Sequence, residues 1–261
     1  MTKPFFPRVG GVLSADIAVP EHEREVRFYS RVLTTGEDPL WREDLMNNAG
    51  LPIIGLGERG AEFEHLPIQW MPHIQVADVA ASAARALELG GVELMHARDD
   101  DGRSQWAVLR DPDGAAFGVI PVLSAEAIPP IDGPAAARLG RISWLDLTVP
   151  DPSRTREFYR QVVGWTARAA EWANEGEATA DDILLGEDGT PAAGIRPARR
   201  EDQRVPMVWM LHLPVGDLAV SLRRVEEEGG AILKTTQGND GQDVYAAIQD
   251  PVGACFALLP G

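Results

Sequence analysis

Two aspartate–histidine combinations are the residues of this sequence with the clearest capacity for chemistry. Asp16 and His73 lie in the first part of the chain, and Asp146 and His212 lie in the second part. A carboxylate that contacts an imidazole fixes the tautomer of the ring and raises its basicity, so such a pair can act as a general acid or base. The alternative is structural, because the pair could instead join two neighbouring strands and satisfy the polar groups of both. The sequence leaves both interpretations open.

The elements that position these residues occur twice. Residues 10–32 align with residues 140–162 at an offset of 130, and later segments align at an offset of 139. Duplication of an entire half explains both offsets, with nine additional residues inserted between Val163 and Gly194. We therefore predict a first domain at 1–122, a linker rich in proline and alanine at 123–138, and a second domain at 139–261.

Each half also divides into two similar units. In the first half, alternating polarity predicts a strand at 12–19, and the spacing of apolar residues after Pro20 predicts a helix. The same order restarts with a strand at 68–76 and a helix from Asp78 to Leu89. The fold class predicted is α+β, with four βαβββ units at about 8–65, 66–122, 139–203 and 204–261.

This order of elements resembles the vicinal oxygen chelate superfamily, which includes glyoxalase I, extradiol dioxygenases, and bleomycin- and fosfomycin-resistance proteins. The resemblance rests on Phe-Tyr in the first helix of each half, on an Asp-Pro-x-Gly turn before each last strand, and on their order. Residues 143–147 and 111–118 look like tandem, often actinobacterial members that are loosely called hydroxylases. The resemblance covers nearly the whole chain. It implies curled mixed sheets with a concave pocket in each half, but one fold hosts many activities.

Strand alternation predicts which side chains face these pockets. The aliphatic residues of each strand should lie under the helices, and the residues between them should face the ligand. The residues predicted on the concave faces are Ser14, Asp16, Met71, His73 and Gly118 in the first half, and Trp144, Asp146, Met210, His212 and Ala257 in the second. Trp144 and Met210, with Cys255 and Leu259, predict an apolar, aromatic second pocket of the kind that holds small molecules. By contrast, Trp70, Trp209, Phe28 and Phe158 are predicted to be core residues.

The resemblance also implies where a metal would bind. Metal-using relatives carry His or Glu at the positions that correspond to Ser14, Met71 and Gly118, and to Trp144, Met210 and Ala257, with a fourth position near Gly55 and Gly194. None of these residues is a typical ligand of Fe, Mn, Zn or Ni. We therefore predict no cofactor. The alternative is a divalent metal at a relocated site built from the aspartate–histidine pairs.

Composition narrows the class of partner. The net charge of −16 and the isoelectric point of about 4.7 would repel phosphate backbones and anionic lipids, so nucleic acid and membranes are not expected partners. A single cysteine permits no disulfide within the chain, and the sequence has neither an apolar leader nor a membrane-spanning stretch. No glycine-rich phosphate loop and no nucleophile elbow is present. These features favour a cytoplasmic protein whose partner is a small molecule, and a homodimer remains open.

Three functions are compatible with this sequence. The first is a metal-free protein that binds a small, partly apolar organic molecule. The second is a metal-dependent enzyme of the glyoxalase or dioxygenase type with a relocated site. The third is a cofactor-free lyase or isomerase that uses one of the aspartate–histidine pairs.

Overall fold

The computed structural model describes residues 7–37, 41–42, 45, 54–124, 126, 141–169, 182–199, 202 and 204–261. The predicted linker lies almost entirely outside these residues, and so does much of the segment that carries the nine additional residues. Within the described part of the chain, no helix is long and apolar enough to cross a membrane.

The first half forms a six-stranded mixed sheet with two helices. Its elements are β1 (Val12–Val19), α1 (His22–Leu33), β2 (Ile54–Glu58), a short 3-10 turn (Ala61–Phe63), β3 (Met71–Val76), α2 (Val79–Glu88), β4 (Val92–Arg98), β5 (Ser104–Arg110) and β6 (Ala116–Pro121). The strand order is β2-β1-β3-β6-β5-β4. Residues 46–53, where the first unit would place a middle strand, lie outside the described residues.

The second half repeats this plan in an eight-stranded sheet. Its elements are β7 (Trp144–Val149), α3 (Pro152–Val163), β8 (Thr166–Ala169), β9 (Asp182–Leu185), β10 (Pro191–Pro197), β11 (Trp209–Val215), α4 (Leu218–Glu227), β12 (Ala231–Gln237), β13 (Asp243–Gln249) and β14 (Cys255–Pro260). The order is β12-β13-β14-β11-β7-β10-β9-β8. The prediction of an α+β fold with two tandem domains is confirmed.

The first strands of the two units in each half pair side by side. β1 runs antiparallel to β3, with Asp16 opposite Met71, and β7 runs antiparallel to β11, with Asp146 opposite Met210. This pairing brings an aspartate from one unit beside a histidine from the next. The register therefore explains why residues about 60 positions apart in the sequence lie together on adjacent inner strands of each sheet.

The helices begin and end where local chemistry dictates. Asp78, Asp151 and Asp217 each accept hydrogen bonds from backbone N–H groups of the helix that follows, as expected of N-cap residues. Gly164 ends α3 with a positive φ of 79°, a conformation that glycine adopts without steric cost. Helix α1 is the exception, because its cap residue Glu21 makes no side-chain capping bond.

The helices of each half pack against the other half. Helix α1 lies against α4, and α3 lies against α2, so one continuous apolar core spans both domains. The four aromatic residues predicted as core are at most 3% exposed, which confirms that prediction: Phe28, Trp70, Phe158 and Trp209.

Matching hydrogen-bond chains cross this interface. Trp70 Nε1 donates to Tyr29 Oη (3.0 Å), which donates to Asp250 Oδ2 in the other half (2.9 Å). The duplicate chain runs from Trp209 through Tyr159 to Asp111, at 2.9 and 3.0 Å. Both hydroxyl groups are buried and fully partnered, so each half is anchored through the Asp-Pro turn of its neighbour.

Candidate functional site

The concave face of the first sheet encloses a cavity of about 520 Å³, which we call the first cavity. Its walls are mainly apolar and come from both units of the first half: Ile17, Ala18, Leu56, Phe63, Leu66, Met71, Met95, Trp106, Ala107, Val108 and Ile120. Asp16 and His73 are its ionisable lining residues. An apolar cleft of this volume with a few polar groups has the properties of a small-molecule site.

The polar end of the first cavity is a three-residue arrangement. His73 Nδ1 lies 2.9 Å from Ser14 Oγ, and His73 Nε2 lies 3.5 Å from Asp16 Oδ2. Burial lowers the pKa of His73, and the nearby carboxylate of Asp16 opposes this only in part, so the ring is neutral at pH 7. Because a carboxylate accepts hydrogen bonds, the favoured tautomer has N–H at Nε2 and lets Nδ1 accept from the Ser14 hydroxyl.

Two glycines make room for this arrangement. A Cβ atom at Gly118 would lie 2.8 Å from His73 Cδ2, and a Cβ atom at Gly55 would collide with the carboxylate of Asp16. Both positions correspond to metal-ligand positions in the resemblance described above. Any longer side chain at either glycine would displace Asp16 or His73. The aspartate–histidine pair therefore takes up the space that a metal-ligating side chain would need.

The concave face of the second half contains the equivalent pair in a different setting. His212 Nε2 lies 3.0 Å from Asp146 Oδ2, and Trp144 Nε1 donates to Asp146 Oδ1 at 2.7 Å. The histidine N–H is not directed at the carboxylate, so this nitrogen lacks a hydrogen-bond partner among the described residues despite the short separation. The ring of Tyr245 is 5.4 Å from the ring of His212 and packs against it.

Met210 and Ala257 lie in a small apolar cluster with Cys255. Burial raises the pKa of the Cys255 thiol to about 12, so a nucleophilic thiolate is not available there at neutral pH.

A charged cluster over this second face was missed from the sequence. Arg196 donates two hydrogen bonds to Asp202, at 2.6 and 3.0 Å, and Lys234 Nζ lies 3.4 Å from Asp202 Oδ1. Burial favours the neutral acid, but the bonds from Arg196 outweigh it and hold the pKa of Asp202 at about 2. Arg196 also interacts electrostatically with Asp146 and Tyr245, so three charged side chains, Arg196, Asp202 and Lys234, lie near the second pair. The apolar second pocket stays a prediction. The sequence repeat could have revealed this cluster, because the offset of 139 aligns Arg196, Asp202 and Lys234 with Gly57, Phe63 and Met95.

The two aspartate–histidine pairs differ in their access to solvent. The Asp16 side chain is 59% exposed, whereas that of Asp146 is 12% exposed. The histidines differ in the same way, because the side chain of His73 is 21% exposed and that of His212 is 11% exposed. The structure thus brings each predicted pair together, but only the first pair opens onto the described cavity.

The side chains at the metal-ligand positions of the resemblance do not fit a metal. Among them only Ser14 offers an oxygen donor, a neutral hydroxyl that is already bonded to His73, while Met71, Met210 and Trp144 are apolar or aromatic. Throughout the described residues, no group of three or more His, Cys, Asp or Glu side chains could hold a metal ion.

The sequence profile of the glyoxalase-like domain matches this chain twice, at residues 14–120 and 144–259. The chain belongs to this glyoxalase-like family. The Mycobacterium bovis protein CFP32, which bears a provisional name as a glyoxylase, is 24% identical over 252 residues, or 94% of this chain and 92% of CFP32. The anthracycline biosynthesis protein DauV of Streptomyces sp. strain C5 is 27% identical over 77% of this chain and 68% of its own length.

Solved structures share the fold of this glyoxalase-like chain at low identity. The Mn(II)-bound glyoxalase from Novosphingobium aromaticivorans has a TM-score of 0.56 at 16% identity, covering 98% of this chain and 83% of its own. A trihydroxybiphenyl dioxygenase from Sphingomonas wittichii RW1 has a TM-score of 0.51 at 17% identity, covering 97% and 91%. These similarities establish the tandem vicinal oxygen chelate fold.

Proposed function

We propose that this protein binds a small, partly apolar organic molecule in the first cavity and does so without a metal ion. The observation that carries the proposal is the first cavity itself. Its volume of about 520 Å³ lies inside the range of roughly 300–1,000 Å³ that is usual for small-molecule sites. Its walls provide apolar contact, and Asp16 with His73 provides a polar end.

The polar end defines what the ligand must offer. Asp16 is exposed to the cavity and accepts hydrogen bonds, while the neutral His73 carries an N–H at Nε2 in its favoured tautomer. A ligand with an apolar ring system and a hydrogen-bond donor at one edge would satisfy both regions. The name of DauV suggests a class of probe, because anthracyclines contain such planar, hydroxylated ring systems.

Binding of the anthraquinone emodin tests this proposal. Trp106 lines the cavity and is 38% exposed, so emodin bound there should quench its fluorescence. We expect Trp106→Ala to weaken binding at least tenfold, measured by calorimetry. The matched control is Val244→Ala, which removes an exposed apolar side chain outside the cavity and should leave the affinity unchanged. Failure of emodin and related hydroxylated polycycles to bind would contradict the proposal.

The role of metal is tested in the same assay. Protein treated with EDTA and analysed for metal content should bind emodin as tightly as untreated protein. If binding instead requires added Mn, Fe, Zn or Ni, a relocated metal site that includes Asp16 and His73 becomes the better explanation.

A second candidate function follows from the Ser14–His73–Asp16 arrangement. In a cofactor-free lyase or isomerase, Asp16 would take a proton from a carbon acid, and the His73 Nε2–H would donate a hydrogen bond to the adjacent carbonyl. Deuterium exchange into acetylacetone, followed by NMR, tests this function. Faster exchange than in buffer that disappears in Asp16→Asn would support it, whereas exchange at the buffer rate would leave only binding.

A further inference from the structure

The concave faces of the two halves differ at three matched positions that surround the aspartate–histidine pair. In the first half these positions hold Gly57, Phe63 and Met95, all of which line the first cavity. In the second half, residues 139 positions later hold Arg196, Asp202 and Lys234. The backbone supports this equivalence, because Gly57 pairs with Ala18 on β1 as Arg196 pairs with Thr148 on β7.

The first of these positions can direct a side chain across the concave face. A Cβ atom at Gly57 would meet no heavy atom closer than Ile17 O at 3.8 Å, so the space beside it belongs to the cavity. In the second half Arg196 starts from this place and binds Asp202 through both terminal nitrogens. The Arg196 side chain is 11% exposed and that of Asp202 is 3% exposed, so this ion pair is largely buried.

The charged cluster lies close to the aspartate–histidine pair of the second half, because Arg196 interacts electrostatically with Asp146 and Tyr245. Asp146 and His212 have less solvent access than Asp16 and His73, although both pairs occupy equivalent strand positions. Tyr245, which takes the place of Trp106, also packs against His212. At these matched positions the second half therefore carries a buried ion pair where the first half has glycine and apolar side chains that line a cavity.

We infer that Arg196, Asp202 and Lys234 form an internal plug of the second concave face, so that each chain binds one ligand molecule, in the first half. The stoichiometry rests on the proposed function, whereas the plug itself does not. A bidentate arginine–carboxylate pair suits this role because its fixed geometry holds both side chains in place. Ligand entry into the second half would require separating a buried ion pair, which is strongly unfavourable.

Exchanging the three residues between the halves tests the inference. Gly57→Arg/Phe63→Asp/Met95→Lys copies the plug into the first half and should abolish emodin binding, while Gly60→Arg adds a charge in open space and should not change it. Arg196→Gly/Asp202→Phe/Lys234→Met removes the plug and should raise the stoichiometry from one emodin to two per chain. If that variant does not fold, Arg196→Ala/Asp202→Ala removes both members of the ion pair together and should likewise raise the stoichiometry to two emodin molecules per chain.

A second readout does not depend on any ligand. Diethyl pyrocarbonate modifies accessible histidines, and mass spectrometry resolves each site. We expect His73 to react several-fold faster than His212 in the natural protein, and His212 to approach the rate of His73 once the plug is removed. Two emodin molecules bound by the natural protein, or equal reactivity of the two histidines, would overturn the inference. Absence of emodin binding with the expected histidine reactivity would overturn the proposed function and leave the plug supported.

Discussion

The two concave faces of this protein show how much the side chains of a duplicated half can change while the pairing of its first strands stays the same. Both place an aspartate on the first strand beside a histidine on its antiparallel neighbour. In the first half, glycine and apolar residues around the pair leave a cavity of about 520 Å³. In the second half, a bidentate ion pair and a lysine lie at the matched positions. The backbone therefore fixes where a site can form, and we infer that the surrounding side chains decide whether it is open.

The largest effect should come from removing the carboxylate at the centre of the plug. Asp202→Ala leaves Arg196 and Lys234 without their common partner, and we expect a loss of about 3 kcal/mol in the free energy of unfolding. Phe63→Ala, at the matched position of the first half, should cost less because Phe63 is only half-buried at the edge of a cavity. Urea denaturation measures both. Equal losses would mean that Asp202 is not held as the structure indicates.

The next largest effect is a pH dependence of stability, and it arises in helix α1, which packs against the other half as α3 does. Glu25 on α1 is fully buried near Asp250, whereas the matched residue of α3 is Thr155. Burial, with the nearby Asp250, raises the pKa of Glu25 from 4.5 to about 8. The folded protein thus keeps a proton that the unfolded chain releases, so stability should fall as pH rises from about 4.5 to 8.

Glu25→Thr copies the residue of the second half and should flatten this pH dependence, with a gain on the order of 2 kcal/mol at pH 8. Thermal unfolding across the pH range gives the comparison. A variant that keeps the same slope would show that another group releases the proton.

A smaller loss of stability, equal for the two halves, is expected from the tyrosine hydroxyl groups, which make equivalent hydrogen bonds in both halves. Tyr29→Phe and Tyr159→Phe each remove a hydroxyl that joins a tryptophan N–H to a carboxylate of the other half. Each substitution should cost about 1–2 kcal/mol, because it leaves the buried indole N–H without its partner and removes one hydrogen bond from the carboxylate. Clearly unequal costs in chemical denaturation would show that the two sides of the interface have diverged as the concave faces have.

The smallest effect is the titration of His73. Burial lowers its pKa below 6.5, so the NMR signals of its ring should titrate below that value. Asp16→Asn should lower the midpoint further, because the carboxylate opposes the effect of burial. A midpoint above 6.5, or a rise in Asp16→Asn, would contradict the geometry of the first cavity.

Much of this architecture was predictable from sequence periodicity. Alternation along the strands placed Asp16, His73, Asp146 and His212 on the concave faces, and the repeat implied that the units would pair in the same way. The aspartate at which α2 begins was also predictable, because an N-cap depends on local backbone geometry.

The plug was harder to predict because it depends on contacts between distant segments. Arg196 lies near the end of β10, Asp202 follows that strand, and Lys234 lies on β12. Charged residues at such places usually face solvent, and only the tertiary contacts show that these three meet. The partner of His73 Nδ1 was also missed, since strand alternation placed Ser14 on the correct face but not beside the ring.

The two equivalent tryptophan–tyrosine–aspartate hydrogen-bond networks indicate how the two halves came to be joined in one polypeptide. Helix α1 contacts the second half as α3 contacts the first, which is the reciprocal pattern of a symmetric dimer interface. A single ancestral half with this surface would have assembled with a copy of itself. Fusion turned that assembly into an intramolecular event with a high effective concentration. The present chain should therefore unfold in one cooperative transition whose midpoint does not depend on protein concentration.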